Sequence, residues 1–361
     1  MKAINLMKTS LAFLFFILLN YSLPAQSLGG NAVFSFLQMP NAPQLTALGG
    51  INITNQNNDI SLAFNNPALL RDSMHSQTVA VFNAMPAGIK NLHWMLGYYQ
   101  PVLKTSFALG INYFTYGDIT QTDAMGNIQG QFKPTDFVVQ VSASRQYMEK
   151  WYYGVTLKYI NSNYGVYRSS GMAADVGINF HDKENLFQAG VVAKNMGVQL
   201  TQYAGSGKEE LPFDLEIGVS KRLAKAPFQF SATIHHVHQF DIRYNDTTFN
   251  NENPFGGSVN NGKNTGDKIF RHFILAAQVY IGKYLEITTA YNHLRRSELK
   301  ISTAGNGLNG FSLGVGALLP KLTIRYARAY YQSNTAYNQL GINLPLNQYF
   351  SLGKFGEKIH W

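Results

Sequence analysis

Over most of its length the sequence alternates between apolar residues and small or polar ones, and this alternation limits the fold more than any other feature. In one clear example, Phe107, Leu109 and Ile111 are apolar, whereas the intervening Ala108 and Gly110 are small. A period of two places successive side chains on opposite faces of a β-strand, so each such segment predicts a strand with one apolar face. The chain is therefore expected to fold almost entirely from strands.

The alternating segments number about fourteen, and the links between them differ in length at the two ends of the strands. We predict strands at 77–84, 89–99, 104–115, 135–146, 151–162, 171–181, 186–194, 211–222, 226–239, 269–281, 284–293, 308–318, 321–331 and 337–350. Links after the even-numbered strands are short, whereas most links after the odd-numbered strands are longer, above all 116–134, 195–210 and 240–268. Short turns at one end and longer loops at the other are typical of outer-membrane barrels, whose turns face the periplasm.

The composition favours a membrane barrel over a soluble β-sandwich or propeller, which would also alternate. Charged residues make up 14% of the chain and aromatic residues 13%, whereas charged residues are about 25% of an average soluble protein. Trp151 and Tyr159 share one face of a predicted strand, roughly 20 Å apart along the barrel axis, which matches a lipid-facing band between two aromatic girdles. We predict an all-β transmembrane outer-membrane β-barrel of about 14 antiparallel strands with a short N-terminal hatch or plug.

Residues 1–25 predict a secretory signal peptide. Lys2 and Lys8 accompany an apolar run at 11–19, and Ala25 supplies a small residue before the expected cleavage site. That run is too short to span a bilayer as a helix, which needs about 20 residues. Export and strand alternation together predict the outer membrane of a Gram-negative cell.

Residues 26–76 precede the first predicted strand and differ in sequence pattern from the alternating segments. Asn66 is a candidate helix N-cap, Pro67 suits the first helical position, and Ala68 follows. We predict that 26–76 folds into the barrel lumen as a hatch, and the alternative is a plain periplasmic segment. Residues 77–361 then form the barrel domain with a C-terminal tail.

No enzyme, cofactor or metal site is predicted. The stretch GFSLG at 310–314 matches G-x-S-x-G, but the alternation continues through Ser312, whereas a nucleophile elbow requires a strained turn followed by a helix. His236 and His238 share a face of one predicted strand and are interpreted as rim residues on its outward face, since further ligands with a clear spacing are missing. The chain has no cysteine, which excludes disulfides and thiolate chemistry.

The net charge is positive and suits an anionic surface more than nucleic acid. The formal charge of +9 indicates association with surroundings such as lipopolysaccharide. The basic and aromatic residues do not form a pattern that is typical of nucleic-acid binding. We therefore predict membrane and lipopolysaccharide contacts, and no nucleic-acid partner.

Three stretches resemble a known family: GGNAVFSFLQMPNAPQLTALGG at 29–50, LAFNNPALL at 62–70 and YNQLGINLPLNQYF at 337–350. They are similar to the PorV/PorQ family of the type IX secretion system and, more distantly, to FadL-type fourteen-stranded barrels, whose hatch carries an Asn-Pro-Ala element. Asn66, Pro67 and Ala68 match that element. The resemblance implies an outer-membrane scaffold of an attachment complex with PorU and PorV, which holds a PorZ-like surface protein and anchors secreted cargo.

Two functions are compatible with this sequence. A scaffold would bind its partner through external loops, and the candidate contacts are the aromatic residues Phe240, Tyr244, Phe249 and Phe255 of the 240–268 loop. The alternative is a FadL-like channel for hydrophobic compounds with a binding pocket in its lumen. A hatch that leaves an opening would favour transport, and a closed lumen would favour the scaffold.

Overall fold

The computed structural model describes residues 32–55, 57–85, 88–242, 265–299, 307–332 and 335–349. The predicted signal peptide and the candidate contacts Tyr244, Phe249 and Phe255 lie outside the described residues. Among the described helices, none is long and apolar enough to cross a bilayer.

Fourteen antiparallel strands close into a barrel, which confirms the predicted fold class. The described strands are β1 (Gln77–Ala84), β2 (Lys90–Gln100), β3 (Thr105–Thr115), β4 (Ile119–Thr122), β5 (Ile128–Phe132), β6 (Thr135–Tyr147), β7 (Trp151–Tyr164), β8 (Tyr167–Asp182), β9 (Phe187–Thr201), β10 (Asp214–Arg222), β11 (Phe228–Ile234), β12 (Phe273–Ile281), β13 (Leu285–Asn292), β14 (Phe311–Leu318), β15 (Thr323–Gln332) and β16 (Thr335–Pro345). All except β4 and β5 belong to the barrel, and β1 pairs with β16 to close it. In a closed ring the backbone hydrogen-bonding groups on both edges of every strand have partners, as a lipid environment requires.

Besides shifts of strand ends, such as the end of β11 at Ile234 rather than at 239, two regions differ from the predicted strands. The predicted loop 116–134 contains an exposed two-stranded hairpin, β4–β5, outside the barrel. Strands β8 and β9 extend beyond the predicted 171–181 and 186–194, and their register shifts between Ala174 and Val176. This irregularity is a β-bulge, which a simple count of alternating residues does not reveal.

The two faces of the barrel wall follow the alternation. On β3, Leu109 is 39% exposed and Ile111 is 37% exposed, whereas the neighbouring Ala108 is 3% exposed. Trp151 and Tyr159 are likewise exposed on the outward face of β7. Apolar side chains thus point away from the barrel, in the arrangement that a lipid-facing wall requires.

Residues 33–74 pass through the lumen from one end to the other, and we call this segment the hatch. At the end with the longer links, the Val33 amide donates to the Glu210 carbonyl at 3.0 Å. At the end with the short turns, the Ser76 amide donates to the Gly97 carbonyl at 2.9 Å, immediately before β1. The hatch contains the helix α1 (Pro43–Ala47) and the 3₁₀ turns Ser35–Gln38, Ile60–Phe64, Pro67–Leu69 and Asp72–Met74.

Short helical elements also occur outside the hatch. The helices α2 (Thr265–Phe270) and α3 (His293–Glu298) lie in the longer links, and a 3₁₀ turn (Leu346–Gln348) follows β16. The longer links and the short turns remain at opposite ends of the barrel, so its two mouths are structurally distinct.

Candidate functional site: the lumen and its hatch

The Asn-Pro-Ala element lies in the second half of the hatch and is buried against the wall. The Asn66 side chain accepts a hydrogen bond from the Ala68 amide at 3.0 Å and donates to the Ile53 carbonyl at 2.9 Å. Asn66 therefore caps the turn that begins at Pro67 and also ties it to the preceding part of the hatch. The turn is 3₁₀ rather than α-helical, because the Leu69 amide donates to the Asn66 carbonyl and the Leu70 amide to the Pro67 carbonyl, three residues earlier.

Two wall glycines provide the space for this element. A methyl group at Gly154 on β7 would lie 2.5 Å from the Pro67 carbonyl carbon and 2.7 Å from the Ala68 nitrogen. A methyl group at Gly177 on β8 would lie 2.1 Å from the Asn66 side-chain oxygen. Only glycine permits the backbone of the hatch to approach these strands so closely.

A buried ion pair joins the hatch to the opposite wall. The Asp59 carboxylate contacts the Arg325 guanidinium of β15 at 2.6 Å, and Glu286 of β13 lies 3.7 Å from the same guanidinium. Asp59 also accepts from the Ser61 amide at 2.9 Å and from the Asn343 side chain at 3.2 Å. These contacts orient the 3₁₀ turn at Ile60–Phe64 and fix its position against β13, β15 and β16.

A second charged group surrounds the bulge between β8 and β9. Lys158 pairs with Asp175 at 2.6 Å, and Lys194 pairs with Glu216 at 3.3 Å. The Lys194 ammonium also donates to the Asn65 side chain of the hatch. Both lysines and both acids are buried, so each charge requires its partner in the lumen.

Apolar side chains form one continuous buried cluster along one side of the lumen, and we call it the apolar column. It begins at the long-loop end, where the Phe36 ring packs against the Phe34 and Phe114 rings at centroid distances of 6.5 and 5.5 Å. It reaches the short-turn end at Leu70 and Met74 of the hatch. Its wall residues are Val79, Val81, Met95, Ala108, Phe114, Val138, Ile160 and Ala173.

The opposite side of the lumen is rich in polar side chains. Hatch side chains there form hydrogen bonds with the wall: Asn52 with Ser231 at 3.0 Å, and Thr54 with Ser220 at 2.7 Å.

Neither side of the lumen is chemically uniform, because Leu48 of the hatch packs with Ala276 and Ala290 on the β9–β16 side. The wall of β2–β7 also carries the buried polar side chains His93, Gln140 and Lys158. The apolar column is therefore a continuous apolar cluster among polar wall residues.

Tyrosine residues cover the outer end of the apolar column. The Tyr116 and Tyr164 hydroxyls donate to the Asp136 carboxylate at 2.5 and 2.8 Å, and the Tyr203 ring stacks on Tyr164 at a centroid distance of 5.8 Å. Burial and the nearby carboxylate raise the pKa of Tyr116 far above its usual value, so its hydroxyl keeps its proton as a donor. The arrangement places a ring of amphipathic side chains between the column and the outer mouth.

The structure places the candidate residues from the sequence in different environments. Ser312 is buried within β14, whose pairing with β13 and β15 continues through it, so no nucleophile elbow forms at this serine. The placement of His236 on an outward strand face is wrong, because β11 ends at Ile234 and the chain leaves the strand there. Phe240 is 62% exposed near the outer mouth.

Sequence reasoning did not identify the residues that hold the hatch. Asp59, Glu286 and Arg325 meet only in the folded chain, as do Gly154 and the Pro67 turn. One signal was present, because charged residues on the small face of a barrel strand point into the lumen. Glu286 is the one charged residue of β13, and Arg325 is a buried arginine of β15, so both need partners in the lumen.

No protein-family model matches the sequence, and no curated protein matches it. Similar solved structures include the deltaS2S3 mutant of the TodX monoaromatic hydrocarbon channel (10% identity, TM-score 0.46), which covers 84% of this chain and 97% of that chain. The TodX deltaS2 mutant is similar at 11% identity and a TM-score of 0.45, covering 85% of this chain and 98% of that one. The KdgM porin is similar at 3% identity and a TM-score of 0.33, covering 74% and 98%.

At these identities and TM-scores, none of the likenesses carries information about function. The resemblance to the PorV/PorQ family has no support from the sequence comparisons. The closed ring of fourteen strands and its apolar outer face define the class of protein: a β-barrel of the outer-membrane type, with a hatch in its lumen.

Proposed function

We propose that this protein is an outer-membrane channel for hydrophobic compounds, in which the hatch is the gate. The observation that supports this proposal is the apolar column, which extends from Phe34 and Phe36 at one mouth to Leu70 and Met74 at the other. A polar solute would lose hydrogen bonds along such a surface, whereas an apolar compound gains about 25 cal/mol for each Å² removed from water.

The hatch accounts for the closed state. Its aromatic side chains occupy the same surface that a hydrophobic compound would use, so Phe34, Phe36 and Phe64 have to move before a compound can pass. Hydrogen bonds between hatch and wall such as that of Asn52 with Ser231 can persist during a partial movement. Transport then requires displacement of Phe34, Phe36 and Phe64 from the apolar column.

Photolabelling with an uncharged aryl diazirine tests this function in purified protein. Residues 33–71 of the hatch fall in a single tryptic peptide ending at Arg71, because no Lys or Arg occurs between Lys8 and Arg71. Phe36→Ala should increase labelling of this peptide by vacating the volume of a phenyl ring. Phe114→Arg should suppress the labelling by placing a charge beside the column.

The lipid-facing wall provides an internal control. The tryptic peptide 151–158 carries the exposed Trp151 and Leu157, which contact lipid or detergent in every variant. Their labelling should remain constant while that of the hatch peptide changes. Equal hatch labelling in wild type, Phe36→Ala and Phe114→Arg would exclude the apolar column as a binding path.

A second candidate function is a scaffold that holds a PorZ-like surface protein in a complex with PorU and PorV. Exposed apolar side chains at the long-loop end favour it: Met125 and Ile128 of the β4–β5 hairpin region are 90% and 75% exposed, and Phe240 is also exposed. Apolar anchors among polar loop residues suit a protein interface. A closed hatch is compatible with this function because a scaffold needs no open lumen.

Deletion of residues 245–264 tests the scaffold function in cells. The deletion should release the surface partner into the medium while the barrel still assembles, because external loops tolerate shortening. Deletion of 300–306, in a different longer link, is the matched control and should leave the partner bound. Retention of the partner in both deletion strains would contradict the proposed contact.

A further inference from the structure

A cluster of imidazoles and one carboxylate lies where β11 ends. The carboxylate belongs to Asp214, the first residue of β10. The ligand atoms of Asp214, His235 and His236 all lie within 4.8 Å of one another. The two Nδ1 atoms of His235 and His236 are 2.6 Å apart, and the His236 Nδ1 is 3.6 Å from the Asp214 carboxylate.

The backbone is shaped to bring the two histidines together. Consecutive residues of a strand point to opposite faces, but His236 has a φ of 52°, in the left-handed region that non-glycine residues rarely adopt. The His236 amide donates to the Asp214 carboxylate at 2.6 Å, which stabilises this conformation. Backbone strain of this kind costs about 1–3 kcal/mol and is concentrated at functional sites.

The cluster also has unused polar atoms. His235 is 1% exposed, and its Nε2 has no hydrogen-bond partner among the described residues; the same is true of the buried Nδ1 of His238. Imidazole nitrogens and a carboxylate oxygen are ligand atoms that bind divalent transition-metal ions.

We propose that Asp214, His235 and His236 bind one divalent transition-metal ion such as Zn²⁺. Two nitrogen atoms and one carboxylate oxygen are an ordinary ligand set for this ion. At zinc–nitrogen distances of about 2.0–2.1 Å, tetrahedral ligand nitrogens lie roughly 3.4 Å apart, so the two rings need to separate by less than about 1 Å. In the metal-free protein the two Nδ1 atoms share a hydrogen bond. When a metal binds, the donor ring changes tautomer, so its proton moves to Nε2 and both Nδ1 atoms offer a lone pair.

Neighbouring residues complete the site. The His238 ring lies 5.8 Å from the His236 ring between centroids and can supply a fourth ligand after a side-chain rotation, with water as the alternative. His272 Nδ1 lies 2.8 Å from the His235 carbonyl oxygen and supports the backbone of the cluster. A bound metal would connect the start of β10 to the segment after β11, and would thereby fix the base of the link that contains Phe240.

Titration calorimetry with Zn²⁺ tests the proposal on metal-stripped, detergent-solubilised full-length protein purified without a histidine tag. Wild type should bind one ion per chain. Asp214→Asn preserves an oxygen that can accept from the His236 amide, and His236→Asn preserves a residue type that tolerates a left-handed φ. Each variant should weaken binding by at least about 100-fold, beyond the usual effect of a change in the outer shell.

His181→Asn is the matched control, because His181 is a buried histidine at the short-turn end of the barrel. It should bind Zn²⁺ as wild type does. Resistance of the barrel to unfolding in sodium dodecyl sulfate verifies that each variant is folded, and the visible spectrum of bound Co²⁺ reports nitrogen ligation independently of affinity. The proposal would be overturned if wild type bound Zn²⁺ no more tightly than His236→Asn. It would also be overturned if His181→Asn lost as much Zn²⁺ affinity as the ligand variants.

Discussion

Replacement of Gly154 by alanine should open the lumen while the barrel still assembles. The new methyl group would lie 2.5 Å from the Pro67 carbonyl carbon, a backbone atom that cannot rotate away. Strand β7 is paired along its length with β6 and β8, so the hatch is the part that has to move. Overpacking typically costs about 1–3 kcal/mol, which raises the population of the displaced hatch roughly 5- to 150-fold.

Single-channel conductance in planar bilayers measures this opening, and limited proteolysis of the hatch measures its displacement. Gly110→Ala is the matched control, since Gly110 also faces the lumen but its added methyl group would meet only side chains, at 3.2 Å from Gln140 and 3.5 Å from Phe64. The control should behave as wild type. Equal conductance in the two variants would show that the Pro67 contact does not hold the hatch in place.

Asp59→Asn should release the hatch through a different contact. The substitution removes the charge that neutralises Arg325 at 2.6 Å and leaves this buried guanidinium with Glu286 alone, at 3.7 Å. Loss of one partner from a buried ion pair costs about 3–5 kcal/mol. Because Asp59 belongs to the hatch and Arg325 to the wall, the loss falls on the docking of the hatch rather than on the strand pairing of the barrel.

Amide hydrogen exchange of the peptide ending at Arg71 measures this docking directly. Exchange in the hatch should accelerate by roughly 100-fold or more, since each 1.4 kcal/mol corresponds to a factor of ten. Asp72→Asn is the control, because Asp72 is an exposed acid of the same segment, and among the described residues its carboxylate accepts from the neighbouring Ser73 amide at 2.8 Å and makes no ion pair. Unchanged hatch protection in Asp59→Asn would contradict the role assigned to the ion pair.

The strands of the barrel wall were predictable from sequence because lipid imposes one rule on every strand: its outward face has to be apolar. Leu109 and Ile111 had to face outward, and the same rule placed thirteen further strands. The rule fails where the backbone leaves the regular ladder. The alternation of apolar and polar residues continues in the sequence through His236 and His238. The strand nevertheless ends at Ile234, because His236 has a left-handed conformation, and the alternation does not indicate this end.

The contacts of the hatch were beyond prediction for another reason. Each joins residues that are distant in sequence, such as Asp59 with Arg325 and Pro67 with Gly154. Asn66 could be recognised as a cap from its own neighbourhood, whereas its fit against Gly177 depends on which strands surround it. Local patterns therefore predicted the elements, and only the assembled ring determined how they meet.

The path of the hatch constrains the order in which this barrel can form. The segment enters beside Glu210 at one mouth and leaves beside Gly97 at the other, so a closed ring surrounds it on all sides. If the β1–β16 seam closed around an empty lumen, a free chain end would have to thread the whole length of a finished cylinder. The simpler route places the hatch against β7, β8 and β15 while the sheet is still open. Pairing of β1 with β16 is then the final step of assembly, and it encloses the hatch in the lumen.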